Sequence, residues 1–377
     1  MDRNKKNILL KKVGLGLAGF SLSFAAFLTL IRMDYKKKIR IQSENGIQEC
    51  GFKSIGGIMQ YFQIRGEDVR NPVILFLHGG PGSPHSFVSH HYQRELEKDY
   101  TFVNWDQPGS GRTFYANQER FRTDKITVDE ILRDLDEVVD YIRNRFHQDK
   151  IIIMGHSWGS VIGSIYIQEH PEKIRAYIGL GQVIDPTGEE KAVHEAMRQA
   201  HKDGNEKYIK ELGLLFDDFN KAKDIGEINE KQLLRIRKVA AAYLPEEEVR
   251  KGREMLWMGI SSPEMNKEDF RWYKKILIES RDFADIQRNL VDFLFFKFDI
   301  RELSKKYEVP IYYISGTSDW ITPFVAVEEY IEEIEAPDKK FVFVKGAGHN
   351  AHVDNPKAFA KAVRFLLNRT KKDAGEE

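Results

Sequence analysis

A serine flanked by glycines, between two apolar stretches, constrains the fold of this chain most. The sequence GHSWG at 155–159 follows IIIM at 151–154 and precedes VIGSIY at 161–166, which predicts a helix. A strand, a sharp G-x-S-x-G turn and a helix form the context of a nucleophile elbow, where the serine hydroxyl is exposed on a strained backbone. Glycine is needed on both sides, because a side chain there would collide with the neighbouring strand or helix. Ser157 is therefore a candidate nucleophile, although the five-residue pattern alone is common.

Further apolar runs predict a parallel sheet around this turn. The run VILFL at 73–77 has no polar residue, as expected for a strand buried on both faces. An amphipathic helix is predicted at 128–146, where Thr127 and Glu130 have the spacing of a capping box. Alternating strands and helices imply right-handed crossovers and a mostly parallel sheet covered by helices on both sides. Other strands are predicted at 48–54, 58–65, 100–105, 151–154, 176–180, 310–315 and 340–344, and other helices at 323–335 and 356–368.

The character of the sequence changes between about 186 and 304, where strand signals fade and charged helical patterns dominate. A surface excursion of that length without packing of its own would be unusual, so we predict a helical cap inserted into the sheet domain. The chain is then divided into a membrane anchor and linker (1–45), the first part of the α/β core (46–185), the cap (186–304), the second part of the core (305–370) and a disordered tail (371–377).

The N-terminal region predicts a membrane anchor. Residues 13–31 form a run of 19 residues without a charged side chain, which as a helix would span about 28 Å, close to one hydrocarbon core. A cleaved signal peptide would have a shorter apolar run and a small-x-small cleavage site, whereas this run leads directly into Arg32. Five positive residues precede the run and five lie between 32 and 40, so the positive-inside rule favours neither orientation in the membrane. The short N-terminal tail favours a single-pass anchor in the cell membrane, with the lipid bilayer as partner and the globular domain outside.

Composition excludes some functions. The chain of 377 residues has 58 Lys and Arg against 58 Asp and Glu, so its formal net charge is zero and a nucleic-acid partner is not expected. Its single cysteine, Cys50, permits neither an internal disulfide nor a cysteine-based metal site. We interpret Cys50 as a small buried hydrophobic residue. The sequence calls for no cofactor and leaves the oligomeric state open.

Two further residues follow predicted strands at the edge where parallel sheets bind their ligands. Asp319 comes just after the strand at 310–315, and His349 just after the strand at 340–344. A neutral serine is a weak nucleophile, so we expect His349 to take the Ser157 proton and to pass it to the leaving group. Asp319 would hold the imidazole tautomer and stabilise the imidazolium. Asp354 is the alternative acid.

The segment HGGPG at 78–82 supplies a second chemical element. The tetrahedral intermediate of acyl transfer carries an oxyanion, which needs preorganised hydrogen-bond donors. The natural donors here are the main-chain N–H groups of Gly80 and Trp158. A simple Gly-Pro turn is the alternative interpretation of this segment.

Other histidines occur near the predicted site. We interpret His78 as structural support, His156 as a packed residue of the turn, and His85, His90 and His91 as residues of the cap or the entrance. A metal site among the histidines is conceivable, but their spacing gives it little support, so no metal is predicted.

These motifs together resemble the proline iminopeptidase family of α/β-hydrolases. The resembling segments are HGGPG at 78–82, WDQPGSGRT at 105–113, GHSWG at 155–159, GTSD at 316–319 and GAGH at 346–349. The resemblance implies the α/β-hydrolase fold and a serine that releases an N-terminal residue, often proline, from a short peptide without a cofactor. It also implies a site composed of Ser157, Asp319 and His349 as the triad, Gly80 and Trp158 as oxyanion donors, and Gly79, Asp106 and Arg112 as residues that support the site or the substrate.

The chain departs from this family in two places. Family members hold the free amine of the substrate with glutamates from the cap, and Glu254, Glu264 and Glu279 show no clear counterpart of those motifs. Pro108 stands where the family commonly has arginine. The first expectation is a membrane-anchored serine hydrolase that forms an acyl-enzyme and acts as an aminopeptidase on short peptides.

Two alternatives stay open. The same catalytic groups would serve an esterase, lactonase or amidase, whose small acyl substrate could bind to aromatic residues of the cap. The second alternative is a non-catalytic surface binding module, although a pure binder need not keep a triad. A dehalogenase or epoxide hydrolase is disfavoured, because those enzymes need a carboxylate where this chain has Ser157. The aromatic cap residues are Trp257, Trp272, Tyr273, Phe293, Phe295 and Phe296.

Overall fold

The computed structural model describes residues 23–186, 188–223, 227, 230–244 and 252–373. Its sheet consists of β1 (Ile47–Ile55), β2 (Ile58–Gly66), β3 (Val73–Leu77), β4 (Thr101–Asp106), β5 (Ile151–His156), β6 (Ile174–Leu180), β7 (Ile311–Gly316) and β8 (Lys339–Val344). The strand order is β1-β2-β4-β3-β5-β6-β7-β8. β2 is antiparallel to both of its neighbours, and the other strand pairs are parallel. The predicted mostly parallel sheet is confirmed.

Burial explains the composition of the strands. β3 and β5 lie in the middle of the sheet, and all their residues are buried, because helices cover both faces. Each buried aliphatic side chain contributes about 1.5–3 kcal/mol to folding. β1 is an edge strand, and its seven central residues are exposed. Cys50 is one of them and is exposed, so the prediction that it is buried is wrong, since this outer strand leaves its side chains in water.

The described residues contain the helices α1 (residues 23–38), α2 (Gly111–Ala116), α3 (Arg120–Thr123), α4 (Val128–Phe146), α5 (Trp158–Glu169), α6 (Gly188–Lys202), α7 (Glu206–Phe219), α8 (Glu230–Ala240), α9 (Gly252–Ser261), α10 (Lys267–Leu277), α11 (Ser280–Phe296), α12 (Phe324–Glu333), α13 (Ala351–Asp354) and α14 (Pro356–Asp373). α4 begins where the capping pattern predicts, because the Thr127 side chain accepts the N–H of Glu130 at 3.2 Å. Its apolar face packs on the sheet through Ile131, Leu135, Val138, Val139 and Ile142.

Helices α6 to α11 come between β6 and β7 in the chain and form the cap. α6, α7 and α8 share a small hydrophobic cluster of their own, whereas α10 and α11 pack into the main cluster of the sheet domain. Hydrogen bonds fasten α10 to the loop after β3. The indole N–H of Trp272 donates to the carbonyl of Gly82 at 2.8 Å, and the hydroxyl of Tyr273 donates to the carbonyl of Pro84 at 2.9 Å.

The two ends of the chain bear on the remaining predictions. α14 continues to Asp373, three residues into the segment 371–377 for which a disordered tail is predicted. Residues 374–377 lie outside the described residues, and the predicted membrane segment 13–31 is described only from residue 23, in α1. Within the described ranges, we find no helix with the length and apolar character to cross a membrane.

Candidate active site

Ser157 occupies a strained turn between β5 and α5. Its backbone angles are φ 52° and ψ −120°, a combination that residues with a side chain rarely adopt. Its N–H donates to the carbonyl of Leu180 at 3.0 Å, which fixes the turn against β6. A Cβ on Gly155 would lie 2.4 Å from the carbonyl oxygen of Gly159, and a Cβ on Gly159 would lie 2.0 Å from that of Leu77. Both glycines therefore have the steric role that the sequence predicts.

Asp319 and His349 form a hydrogen-bonded pair beyond the carboxyl ends of β7 and β8. His349 Nδ1 lies 3.0 Å from Asp319 Oδ2 and 3.1 Å from Oδ1. Asp319 is buried and also accepts the main-chain N–H groups of Ile321 and Thr322 at 3.1 and 3.0 Å. Because a carboxylate accepts and does not donate, the network assigns the ring proton of His349 to Nδ1 and leaves a lone pair on Nε2. A general base needs this tautomer.

Ser157 and His349 line one cavity, which has a volume of about 410 Å³. Gly79 and Gly80 form part of its wall on the sheet side. A Cβ on Gly79 would lie 3.0 Å from the Cβ of Ser157, so the backbone passes directly beside the serine. Trp158 is the first residue of α5, and its N–H is one of those that a helix leaves unpaired at its positive end. The structure thus places Gly80 in the same cavity wall as Ser157, with Trp158 next to Ser157 in the chain, and the oxyanion role of their N–H groups stays a prediction.

Asp106 and Arg112 brace the loop after β4, and neither is among the described residues that line the cavity. Asp106 accepts the main-chain N–H of Arg112 at 2.9 Å. The guanidinium of Arg112 donates to both carboxylate oxygens of Asp269, in α10, at 2.9 and 2.6 Å. Burial raises the pKa of Asp106 to about 7, although the positive charge of Arg112 acts to lower it. These two residues join the loop to the cap and do not touch the cavity.

The histidines between 78 and 91 have different surroundings. Buried His78 donates from Nδ1 to the carbonyl of Gly79 at 2.9 Å and accepts the N–H of Gln107 on Nε2 at 3.2 Å, which agrees with a structural role. Burial lowers its pKa to about 3. His85 lines the cavity. His90 is buried and is not among the described residues of the cavity wall, so an entrance role fits His85 alone of these two.

Sequence reasoning missed two residues that contact the Asp319–His349 pair. The hydroxyl of Thr322 donates to Asp319 at 2.8 Å and lies 3.2 Å from His349 Nδ1. A Cβ on Gly181 would lie 3.1 Å from His349 Nδ1, and Gly181 has φ 54°, so glycine is needed at this close approach. The sequence signal that could have indicated Thr322 is its position three residues after Asp319, within reach of that carboxylate. Asp354, the alternative acid, instead accepts the N–H of Gly348 at 2.9 Å.

The cap contributes one of its six aromatic candidates to the described cavity wall, Phe295 of α11, together with Leu294. Trp272 and Tyr273 pack against the main hydrophobic cluster, as does Phe293. Packing between cap and sheet therefore accounts for these three aromatic residues, which leaves little aromatic area for a ligand.

The cap glutamates Glu254, Glu264 and Glu279, which show no counterpart of the family's motifs, are not among the described residues of the cavity wall. Glu264 pairs with Arg65 of β2 at 3.0 Å, and Glu279 pairs with lysines of α10. Asp185 is the one carboxylate among the described residues of the cavity wall. It forms an ion pair with Arg301.

Comparison with known proteins places this chain in a family. Residues 72–356 match the alpha/beta hydrolase fold family, and the chain belongs to that family. It is 28% identical over 328 residues to the probable aminopeptidase YbaC of Bacillus subtilis strain 168, an alignment that covers 87% of this chain and 96% of that protein. It is 23% identical over 321 residues to the proline iminopeptidase of Lactobacillus helveticus, which covers 83% and 95% of the two chains. The resemblance to proline iminopeptidases is confirmed.

A solved structure shares the fold over nearly the whole chain. The crystal structure of a membrane phospholipase A, described as a novel bacterial virulence factor, superposes with a TM-score of 0.59 at 16% identity and covers 97% of this chain and 99% of that one. At this identity the likeness shows the fold alone. The substrate has to be argued from the site itself.

Proposed function

We propose that this chain is a serine hydrolase that works through an acyl-enzyme. Ser157 attacks the carbonyl carbon of the substrate while His349 Nε2 takes its proton, and His349 then donates that proton to the departing amine or alcohol. In the second step His349 activates a water molecule, which releases the acid and restores Ser157. The strained backbone of Ser157, which lines one cavity with His349, the partner of Asp319, is the observation that carries this proposal.

The main chain around Ser157 supports an oxyanion hole. We assign its two hydrogen bonds to the N–H groups of Gly80, on the cavity wall, and of Trp158, at the start of α5. One donor of this kind is worth about 3 kcal/mol in the transition state. Gly79 has a different role, since a side chain there would press on the Cβ of Ser157.

The favoured substrate is a short peptide that loses its N-terminal residue. Two relatives that align over most of this chain are named as an aminopeptidase and a proline iminopeptidase, which supports this choice. The free amine of such a substrate needs an acidic partner. Asp185 is the carboxylate that the described cavity wall offers, and it would have to serve the amine as well as Arg301.

A small ester or other acyl substrate is the alternative, and one property of the cavity favours it. Ile184, Leu294 and Phe295 present apolar area to the cavity, whereas Asp185 is already paired with Arg301. Burial of an apolar acyl group contributes about 25 cal/mol per Å². A non-catalytic binding module has less support, because it would gain nothing from the backbone strain at Ser157, which costs roughly 1–3 kcal/mol.

Two substrates and two variants test the proposal. The full chain is assayed with a proline arylamide and with p-nitrophenyl esters, and Ser157→Ala is expected to lower kcat by a factor of about 10⁶. Ser83→Ala is the matched control, because it removes a different serine hydroxyl from the same cavity wall and should keep most of the activity. Retained turnover of both substrates by Ser157→Ala would contradict the serine nucleophile. The ratio of the two wild-type rates decides between peptidase and esterase.

We also propose that residues 13–31 anchor the chain in the cell membrane with the hydrolase domain outside. The uncharged run supports the anchor, as do Phe24, Phe27 and Leu30, which are exposed on the described end of that run. Arg32 marks the point where α1 meets the cap, since its guanidinium donates to the carbonyl of Ile260 in α9 at 3.0 and 2.8 Å. A membrane-impermeant fluorophosphonate probe is expected to label Ser157 in intact cells. Labelling that requires cell lysis would contradict the external orientation.

A further inference from the structure

Three histidine rings pack against one another beside the candidate catalytic pair. They are His85, just before the short 3₁₀ segment at Ser86–His91, His156, the last residue of β5, and His352 of α13. One ring nitrogen of each lies within 4.8 Å of one ring nitrogen of the other two. The ring centroids of His156 and His352 are 4.8 Å apart, and those of His85 and His352 are 5.7 Å apart. Segments far apart in the chain thus bring three imidazoles together.

Most of the ring nitrogens in this cluster are buried without a hydrogen-bond partner. They are Nδ1 of His85, Nδ1 of His156 and both nitrogens of His352. His156 is 3% exposed and His352 is 0% exposed. A buried polar atom without a partner costs about 1–3 kcal/mol, and an apolar side chain of similar volume would fill the same space without that cost. Stability alone therefore does not account for three histidines at this place.

The hydrogen bond of His156 determines which of its nitrogens can bind a ligand. Its Nε2 lies 3.1 Å from the main-chain carbonyl oxygen of His349. A carbonyl accepts and does not donate, so Nε2 carries the proton and Nδ1 has the free lone pair. A histidine that binds a metal commonly donates its other N–H to a backbone carbonyl in this way, which fixes the ring and its tautomer.

We propose that His85, His156 and His352 bind a divalent transition-metal ion, with zinc the best chemical match. Three neutral imidazoles are a known ligand set for Zn²⁺, which binds histidine nitrogens at about 2.0–2.1 Å in tetrahedral geometry. Ligand nitrogens in such a site are roughly 3.4 Å apart, so the cluster closes by about 1 Å when the ion binds. His85 and His156 also line the active-site cavity, which provides an entry path and places the fourth coordination position on the cavity side.

The expected consequence of zinc binding is inhibition, and this part of the inference depends on the proposed function. The ring of His156 lies 5.0 Å from the ring of His349, centroid to centroid. Proton transfer from Ser157 makes His349 positively charged. A dication beside it opposes that charge, which raises the barrier to acylation. The cluster would then be an inhibitory metal site that shares a wall with the catalytic cavity.

Metal binding is tested without any assay of activity. The EDTA-treated full chain is dialysed against buffered Zn²⁺, and the bound metal is counted for the wild type, His85→Ala, His352→Gln and the control His201→Ala, which removes an exposed histidine of α6. The wild type and the control are expected to bind about one ion per chain, and the two cluster variants to bind about tenfold or more weakly. Co²⁺ in place of Zn²⁺ should give the intense visible absorption of a tetrahedral site. Circular dichroism shows whether His352→Gln, a change at a buried position, still folds. If it does not fold, the metal content of His85→Ala, a change at the cavity wall, decides whether the cluster binds zinc.

Two results would overturn the metal site. One is that the wild type binds no zinc, and the other is that His85→Ala and His352→Gln bind it as tightly as the wild type. Inhibition is measured separately with whichever substrate is turned over. Zinc is expected to lower kcat by about tenfold or more, EDTA to restore it, and His85→Ala to require a higher zinc concentration. A chain that binds zinc through the cluster but hydrolyses neither substrate refutes the proposed function and leaves the metal site standing.

Discussion

The two walls of the active-site cavity are built in different ways. On the sheet side the backbone positions the reacting groups: Ser157 sits in a strained turn, Gly79 passes against it, and Asp319 accepts hydrogen bonds from its own loop. On the cap side the wall consists of side chains from helices α8 and α11, such as Arg237 and Phe295. The proposed chemistry therefore belongs to the wall that the backbone fixes, and the proposed substrate recognition to the wall that side-chain substitutions alter most easily.

The join between the two regions combines apolar packing of α10 and α11 with buried polar contacts. Arg112 of the sheet domain holds Asp269 of α10 through two hydrogen bonds, and the side chain of Gln287 in α11 donates to the carbonyl of Gly109 at 2.7 Å. Such contacts depend on correct geometry far more than apolar packing does. These polar contacts fix the position of the cap over the cavity, and they depend on a few residues.

The largest expected difference between the two walls lies in kcat. Asp319→Asn keeps the size of the side chain but cannot hold His349 in the required tautomer, so kcat should fall by a factor of about 10⁴ with little change in KM. Phe295→Ala removes apolar area on the cap side, so it should raise KM and change kcat far less. Steady-state kinetics on the better of the two substrates measures both.

Asp354→Asn is the matched control for the sheet-side variant. Asp354 supports the loop that carries His349 through the N–H of Gly348, so its replacement should cost much less activity than that of Asp319. If the Asp354 variant is as inactive as the Asp319 variant, the assignment of Asp319 as the partner of His349 in catalysis is contradicted. A Phe295 variant with the kinetic profile of Asp319→Asn would remove the distinction between the two walls.

The sequence predicts the sheet-side wall well, because its signals are local. A strand followed by GHSWG and a helix defines the turn at Ser157 without knowledge of the rest of the chain. Asp319 and His349 follow their strands closely, and parallel strands end at the same edge of the sheet, so topology alone brings them together. Thr322 was missed because a hydroxyl that supports a carboxylate has no sequence pattern as distinctive as a nucleophile elbow.

The cap wall and the histidine cluster could not be predicted in the same way. Phe293 and Phe295 are two positions apart in one apolar run, and only helix packing decides that Phe293 joins the core while Phe295 lines the cavity. The rings of His85, His156 and His352 come from three distant segments, so spacing along the chain carries no sign of their proximity. Long-range side-chain contacts follow from the tertiary fold, which local patterns constrain only in part.

The second prediction concerns the ion pair that joins cap and sheet, and its effect is measured as a change in the free energy of unfolding. Asp269→Asn leaves the guanidinium of Arg112 buried without its counter-charge, so the free energy of unfolding should fall by about 3 kcal/mol. Glu268→Gln removes the same charge one residue earlier in α10 and should change stability by less than about 0.5 kcal/mol. Urea denaturation measures both. Equal stability of the two variants would mean that the buried ion pair does not hold the cap to the sheet.

The smallest expected effect is a pH-dependent one in the sheet domain. His90 is buried beside His91 and Arg65, and burial is the main cause that lowers its pKa to about 3, with the two neighbouring charges adding to it. The unfolded chain takes up a proton near pH 6.5 while folded His90 stays neutral, so its contribution to stability is complete above pH 6.5 and is lost as the pH falls toward 3.

His90→Gln tests this contribution, because glutamine does not titrate. Between pH 7 and pH 5 the free energy of unfolding of the wild type should fall by about 1–2 kcal/mol more than that of His90→Gln. His201→Gln, at an exposed position in α6, should leave the pH dependence unchanged. Urea denaturation at pH 7 and pH 5 gives the comparison, and parallel curves for the wild type and His90→Gln would show that His90 takes up its proton in the folded chain. His90 belongs to the segment between β3 and β4, so a positive result places this acid sensitivity in the sheet domain.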